Sequence, residues 1–287
     1  MKKIIAFLLI IMLLMSGCTD KTPDETNPGE TQAPTYSNEG PEGILDENVP
    51  TTVYKLVRAV SLDENGIEQW HREYIYDANG FCTEELEVSN AGTTTYRQVN
   101  TPDEKGRIGT SQVTEGEGIT YTITYTYNDQ GRILRQETSS GGQVTDYTEY
   151  TYDERGNYQT LKQYYFGELV MDYAFSYTYD DNGNQVARDE YLSGELLSHV
   201  EFVYDDQGRE IASTSSIAGG ASQSRTESTW EGLTETRKYY GMGDTEPYMT
   251  SVITYDDHGN VIIEESQYSG GSFTMMEYTY EPFEVMQ

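Results

Sequence analysis

Acidic hexamers closed by glycine recur along the chain: YDANG at 76–80, YDERGN at 152–157, YDDNGN at 179–184, YDDQGR at 204–209 and YDDHGN at 255–260. Carboxylates next to a glycine are the ingredients of calcium loops. Such a loop, however, needs acids at alternate positions and a distant bidentate glutamate. Here the acids are adjacent, as in Asp180-Asp181, and the residues between Asp and Gly vary freely, including Glu104-Lys105 and Glu154-Arg155. A ligand set does not tolerate that freedom. The tetrad D-x-x-G instead fits a type I turn, with Asp first, polar residues in the middle and Gly fourth. The turn residues are therefore Asp77 and Gly80, Asp153 and Gly156, Asp180 and Gly183, Asp205 and Gly208, Asp256 and Gly259, and no metal is expected.

Other site chemistry is sparse. His71, His199 and His258 fall at unrelated phases of the repeat, and no Ser-His-Asp, Cys-His or metal-ligand spacing accompanies them. No glycine-rich loop opens a helix. With 49 acidic residues, the proximity of two carboxylates in sequence carries no catalytic information. The chain reads as a non-enzyme without a cofactor. The alternative is a secreted carbohydrate-active or processing enzyme of unrecognised type.

One stretch departs from the acidic background. Residues 230–247 (WEGLTETRKYYGMGDTEP) lose the full hexamer and carry Arg237-Lys238-Tyr239-Tyr240. Departures from consensus in an array mark a cap or a grafted site. Trp230, Arg237, Lys238, Tyr239 and Tyr240 are thus the candidate ligand contacts. Replacing Arg237, Lys238 and Tyr240 together is expected to weaken binding and leave the circular dichroism unchanged.

The elements that carry these residues follow from spacing. The hexamer tyrosine stands at 76, 127, 152, 179, 204, 255 and 280, with gaps of 51, 25, 27, 25, 51 and 25. Each gap of 51 is two steps, and the missing stations fall at Pro102 (followed by DEKGR) and Trp230 (followed by EG). A second glycine signal follows each marker by about half a period: NAG at 90–92, EGEG at 115–118, SGG at 140–142, FGE at 166–168, SGE at 193–195, AGG at 218–220 and SGG at 269–271. Two turns per period leave two short strands, so each repeat is a β-hairpin. Before each marker every second residue is large, as in Tyr121, Ile123, Tyr125 and Tyr127, or Tyr173, Phe175, Tyr177 and Tyr179. Alternation with period two gives a sheet with one packed and one wetter face. The fold class is all-β: a repetitive antiparallel β-hairpin meander of about eight hairpins in a single twisted or curling sheet, as a solenoid or a partly closed barrel.

The N-terminal region supplies an address. MKKIIAFLLIIMLLMSGC has two lysines, an apolar run too short to span a membrane, and small residues before a cysteine. It resembles a bacterial lipoprotein signal, so residues 1–17 are expected to be removed and Cys18 to carry lipid. Residues 19–50 hold five of the eight prolines and few aliphatic residues, a composition that cannot offset ordering entropy. Residues 18–50 are read as a lipidated cysteine and tether with a root-mean-square reach of roughly 30 Å. Residues 51–287 form the repeat domain. With Cys18 acylated no disulfide framework is available, so packing and backbone pairing are expected to stabilise it; Cys82 reads as a small strand residue. Loss of Lys2 and Lys3 takes the formal charge from −31 to −33, which argues against nucleic acid.

The hexamers also resemble the YD repeats of bacterial RHS-type proteins, whose signature is Y-D-x-x-G followed by Arg or Asn. The matches are Tyr127 to Arg132 (with Asn128), Tyr152 to Asn157, Tyr179 to Asn184, Tyr204 to Arg209 and Tyr255 to Asn260. The resemblance covers roughly residues 53–280 and implies β-hairpin sheets of the kind that spiral into a shell in large members. Only seven residues follow Tyr280, so the toxin and self-cleaving activities of those members are not carried over. The resulting expectation is a lipid-anchored protein on the extracellular or periplasmic side of the cell membrane. It would act as a structural or interaction scaffold for a glycan or protein partner.

Overall fold

In the computed structural model the described residues are 51–116, 118–218 and 223–285. They form eighteen β-strands: β1 (Thr51–Leu62), β2 (Glu68–Tyr76), β3 (Cys82–Ser89), β4 (Thr94–Pro102), β5 (Ile108–Glu115), β6 (Ile119–Tyr127), β7 (Ile133–Ser140), β8 (Gln143–Tyr152) and β9 (Tyr158–Tyr165). The second half comprises β10 (Glu168–Tyr179), β11 (Gln185–Leu192), β12 (Glu195–Tyr204), β13 (Glu210–Ile217), β14 (Gln223–Glu231), β15 (Thr234–Tyr240), β16 (Met249–Tyr255), β17 (Val261–Tyr268) and β18 (Phe273–Val285). Every strand pairs antiparallel with its sequence neighbours, and β18 pairs with β1. The all-β hairpin meander is therefore a closed barrel. Closure leaves no edge of unpaired N–H and C=O groups on which another strand could add.

The seam is the longest pairing in the ring, running from Thr51↔Val285 to Leu62↔Met275 with one bulge. It also explains why the last marker, Tyr280, is not followed by a turn. The strand continues through Glu281, Pro282 and Phe283 to pair with Lys55, Tyr54 and Val53. There are nine hairpins where the marker count gives about eight, because β1 and β2 precede the first marker.

Following the registers across the ring returns to β1 about 20 residues from the starting level, a shear close to the strand number. With strands ~4.8 Å apart, that shear gives a tilt of roughly 40° and a backbone diameter of roughly 35 Å. Side chains do not fill the middle of so wide a ring. Each strand packs only on its two ring neighbours.

The face alternation sets the wall chemistry. The fully buried side chains Glu85, Ser111, Val113, Glu235 and Ser251 all lie on the same face as the tyrosine rows. That face is the concave one. It carries Tyr74, Tyr96, Ile123, Tyr125, Tyr150, Phe175, Tyr177, Phe202 and Tyr255. The convex face carries Thr122, Thr124 and Thr126 together with charges such as Glu73, Arg97, Arg135, Glu149, Lys162 and Asp189. Cys82, at the start of β3, is buried.

All D-x-x-G turns that follow a marker lie on one rim, which also holds the first residue of β1 and the last of β18; the second glycine turns form the opposite rim. The two rims use different turns. On the distal rim Phe166-Gly167 (φ 47° and 81°) and Ser193-Gly194 (53° and 85°) are two-residue loops with both residues left-handed, the conformation that matches strand twist. Asp63–Gly66, which no marker tyrosine precedes, forms a D-x-x-G turn on that same rim.

Candidate functional site

The recurring carboxylates are occupied by their own turns. In each complete turn the Gly N–H donates to the Asp carbonyl, and the Asp N–H to the carbonyl four residues on. Oδ1 then accepts two backbone N–H bonds; for Asp180 these come from Asn182 and Asn184, at 2.9 and 2.8 Å. Oδ2 takes the side chain of the residue after glycine: Asn184 on Asp180, Asn260 on Asp256, Arg107 on Asp103, Arg209 on Asp205. This accounts for the Arg or Asn that ends the repeat signature. Hydrogen bonds hold the Asp103 and Asp180 carboxyls below the usual carboxylate range, chiefly those from Arg107 and Asn184. Among the described residues no group of three or more His, Cys, Asp or Glu is placed to hold a metal.

The same rim links one repeat to the next. The Tyr127 hydroxyl donates to the Ile108 carbonyl, Tyr152 to Ile133, Tyr204 to Gln185 and Tyr76 to Leu56, at 2.7 to 2.9 Å. The turn arginine lies over the next marker ring: Arg107 on Tyr127 at 4.1 Å, Arg155 on Tyr179 at 3.9 Å, Arg209 on Trp230 at 5.1 Å. Each such stack contributes about 0.5–1 kcal/mol at an exposed site. The two degenerate stations differ. Pro102 replaces the tyrosine but keeps the full Asp103 turn. Trp230 is followed by a two-residue loop, Gly232-Leu233, with Gly232 at φ 61° and no register shift, as a type II′ hairpin requires.

The five candidate contacts do not form one cluster, because strand alternation divides them. Arg237 and Tyr239 face the lumen, whereas Lys238 and Tyr240 face outward. Trp230 stacks on Tyr255 with ring centres 5.4 Å apart, and both face inward. Arg237 is committed to Glu235, donating from Nε at 2.8 Å and Nη2 at 3.0 Å. Glu235 is fully buried and also accepts from Ser228 Oγ and Tyr255 Oη, at 2.6 and 3.0 Å. Tyr240 is buried on the outside, beneath Arg225 and bonded to Glu227. Replacing Arg237 and Tyr240 therefore removes structural contacts as well, and unchanged circular dichroism is no longer the expected result.

The lumen holds a second buried acid. Glu85 meets Arg72 Nη1 at 3.3 Å, and Arg72 also binds Glu87. The other Glu85 oxygen has no hydrogen-bond partner among the described residues. Burial pushes the Glu85 carboxyl up, against the pull of Arg72. Burial likewise raises Glu210, opposed by Arg237. Inward tyrosines are raised by burial as well, Tyr74 and Tyr204 to about 12, so they present neutral hydroxyls. The histidines sit outside the lumen. His71 and His199 are each flanked by two carboxylates, and His258 stacks on Tyr54 at 4.1 Å.

The lumen wall is not uniform. In β11 and β13 no residue is buried, and the inward rings of β10 and β12 are only half-buried. Moreover, β14 alone among the even-numbered strands has no large side chain at the three inward positions before its marker. Ser224, Thr226 and Ser228 stand where β10 has Tyr173, Phe175 and Tyr177. Beside them β13 presents Ser213 and Ser215. The result is a recess lined by Ser213, Ser215, Ser224, Thr226, Tyr239 and Tyr248, with the outward-facing Arg225 and Tyr240 at its margin. The basic residues nearby draw attention in the sequence; the signal for the recess is the run of serines in SASTSSI and SRTESTW.

No family model matches the chain, and no curated protein matches it. Solved structures with some similarity include a crystal structure of TcdB2-TccC3-Cdc42 (18% identity over 71% of this chain, TM-score 0.34) and one of TcdB2-TccC3 (11%, 71%, 0.22). The chain spans 10% and 18% of those longer chains. A porin-like protein from Bacteroides uniformis is 13% identical over 79% of this chain and 97% of its own, with a TM-score of 0.42.

Proposed function

We propose that the protein is a lipid-anchored barrel on the cell surface that acts as an interaction scaffold, its lumen taking an extended glycan. The observation that carries this reading is that the inward rings of β10 and β12 are only half-buried. In a filled core these rings would be buried; on an accessible wall they offer apolar faces with neutral hydroxyls at the edge. Sugar rings present the matching surface, with C–H faces for stacking and hydroxyls for hydrogen bonds.

The chemistry of the outer wall supports a barrel standing in water. Arg97, Arg135 and Lys162 occupy the convex belt, where a lipid-facing arginine or lysine costs about 2–4 kcal/mol at the bilayer midplane. The membrane link is then the tether. Cys18 lies outside the described residues, and its acylation is read from the signal sequence alone. The excess of acid disfavours nucleic acid as a partner.

Native gels cast with neutral polysaccharides (glucan, mannan, xylan) test the reading, with product analysis of the gel to reveal any cleavage. Retardation in at least one gel without released oligosaccharide is expected. Unchanged mobility in all of them refutes glycan binding, and released product would favour the enzymatic alternative. For the anchor, incorporation of an alkyne fatty acid that Cys18→Ser abolishes is the expected result.

A further inference from the structure

We infer that the hydroxyl-lined recess between β13 and β15 is the subsite that holds one neutral sugar ring of the bound chain. The inference rests on the glycan reading above and says where and with what chemistry it operates.

The walls of the recess are aromatic and its floor is polar. Tyr239 and Tyr248 stand 6.4 Å apart between ring centres, tilted by 46°. Across the floor, Thr226 pairs with Tyr239, Ser213 with Thr226, and Ser215 with Ser224. Ser213 and Thr226 satisfy each other at 2.6 Å. The Ser215 and Ser224 hydroxyls make no side-chain hydrogen bond within the described protein and are half-buried, so both keep donor and acceptor capacity. A pocket bounded by rings, with a few convergent hydroxyls, is the usual composition of a small-molecule site.

The β15–β16 connection, residues 241–248, bounds the rim end of the recess, where the Tyr248 N–H donates to Tyr239 O, and lies against the outer face of β14 through Arg225. The Gly243 N–H donates to Gln223 O, and Arg225 Nη1 donates to Asp244 O at 3.0 Å. Arg225 is further held by Glu227 and by the Tyr240 ring, so its charge is neutralised and does not call for an anionic ligand. Elsewhere in the lumen carboxylates outnumber cations: Glu85, Glu87, Glu115, Asp146, Glu190, Glu210, Glu235 and Glu264 against Arg72, Arg188 and Arg237. Uronic acids and sulfated sugars meet repulsion there, and neutral hexoses do not.

The sister repeats supply the test. Because β10 carries Tyr173 and Phe175 at the equivalent inward positions, the double variant Ser224→Tyr/Thr226→Phe fills the recess with residues this wall already accommodates. Titration of the full mature chain with cellohexaose, maltohexaose and mannohexaose, and with oligogalacturonate as the acidic counterpart, reads the outcome. One neutral hexasaccharide is expected to bind. The filled variant should bind it at least tenfold more weakly, and Tyr248→Ala several-fold more weakly. Thr148→Phe, which fills the equivalent position on β8 away from the recess, should bind as the native chain does. Native binding that survives both recess variants overturns the subsite and leaves the glycan reading standing. Preference for oligogalacturonate overturns the neutral class. No binding of any sugar by the native chain overturns both readings.

Discussion

Replacing Glu235 by alanine is the sharpest test of how the wall is held together. Its carboxylate is fully buried and accepts four hydrogen bonds, two of them from Arg237, whose side chain is 16% exposed. Removing one partner of a buried, hydrogen-bonded ion pair costs about 3–5 kcal/mol, because the remaining charge is left desolvated and unpaired. Glu210 faces the same arginine and offsets part of that loss, which places the expected cost near 3 kcal/mol. Arg237→Met in the Glu235→Ala background removes the stranded charge, so the double variant should recover at least about 1 kcal/mol relative to Glu235→Ala alone. Urea denaturation followed by far-ultraviolet circular dichroism and tryptophan fluorescence measures both, at constant m-value. A cost under 1 kcal/mol for Glu235→Ala, or strictly additive single costs, would refute the reasoning. Either result would mean that solvent from the lumen reaches the pair.

The other predictions concern the turns and the seam. Asp205→Ala removes two backbone acceptor bonds and the Arg209 clamp, and should cost about 1–2 kcal/mol by denaturant titration, as the loss of a helix cap does. Millimolar calcium should leave the melting temperature of the native chain unchanged, because the turn oxygens are already engaged; a rise of several degrees would mean that the turns bind calcium. Acid titration has a defined sign. The turn carboxyls of Asp103, Asp180, Asp205 and Asp256 are depressed, so the stability they supply is present above about pH 4 and lost as pH falls through their lower folded values. Glu85 and Glu210 are raised and act in the opposite sense, favouring the folded state as they protonate. Stability should therefore hold or rise slightly on mild acidification and then fall below pH 4, and a monotonic loss from pH 7 would contradict these assignments. Deleting residues 51–62 exposes the edges of β18 and β2, so light scattering should detect larger species than the full domain forms; a deletion variant of unchanged size distribution would argue against closure through the seam.

Local structure was legible in the sequence to the extent that it is fixed by local rules. The D-x-x-G tetrads, the second glycine series and the period-two rows each specify a geometry within a few residues, and the hairpins follow them. Ring closure was not legible. It depends on shear, which accumulates from small register offsets and bulges at every hairpin, such as the shift between Ile75 and Tyr76 or between Thr254 and Tyr255, and no single motif encodes that sum. The Asp63 turn lacks the marker tyrosine, on the rim where that tyrosine has no role, and so carries no repeat signature. The division of Arg237 and Tyr239 from Lys238 and Tyr240 is contained in strand parity alone, whereas composition marks the string only as a unit. The recess was also written in the chain, as small residues where the repeat elsewhere places rings. A missing side chain is simply a weaker signal than a present one.

A closed ring built from a repeated two-strand unit has its calibre set by arithmetic. Antiparallel closure demands an even number of strands, and each 25-residue unit supplies two, so parity survives gain or loss of a whole unit. One unit in nine changes the diameter by about 3–4 Å. Unequal recombination between near-identical hexamers, such as those at 179–184 and 255–260, would thus widen or narrow the passage in fixed increments without disturbing a single turn. Ligand size in such a lineage would be tuned by copy number first and by side-chain substitution second.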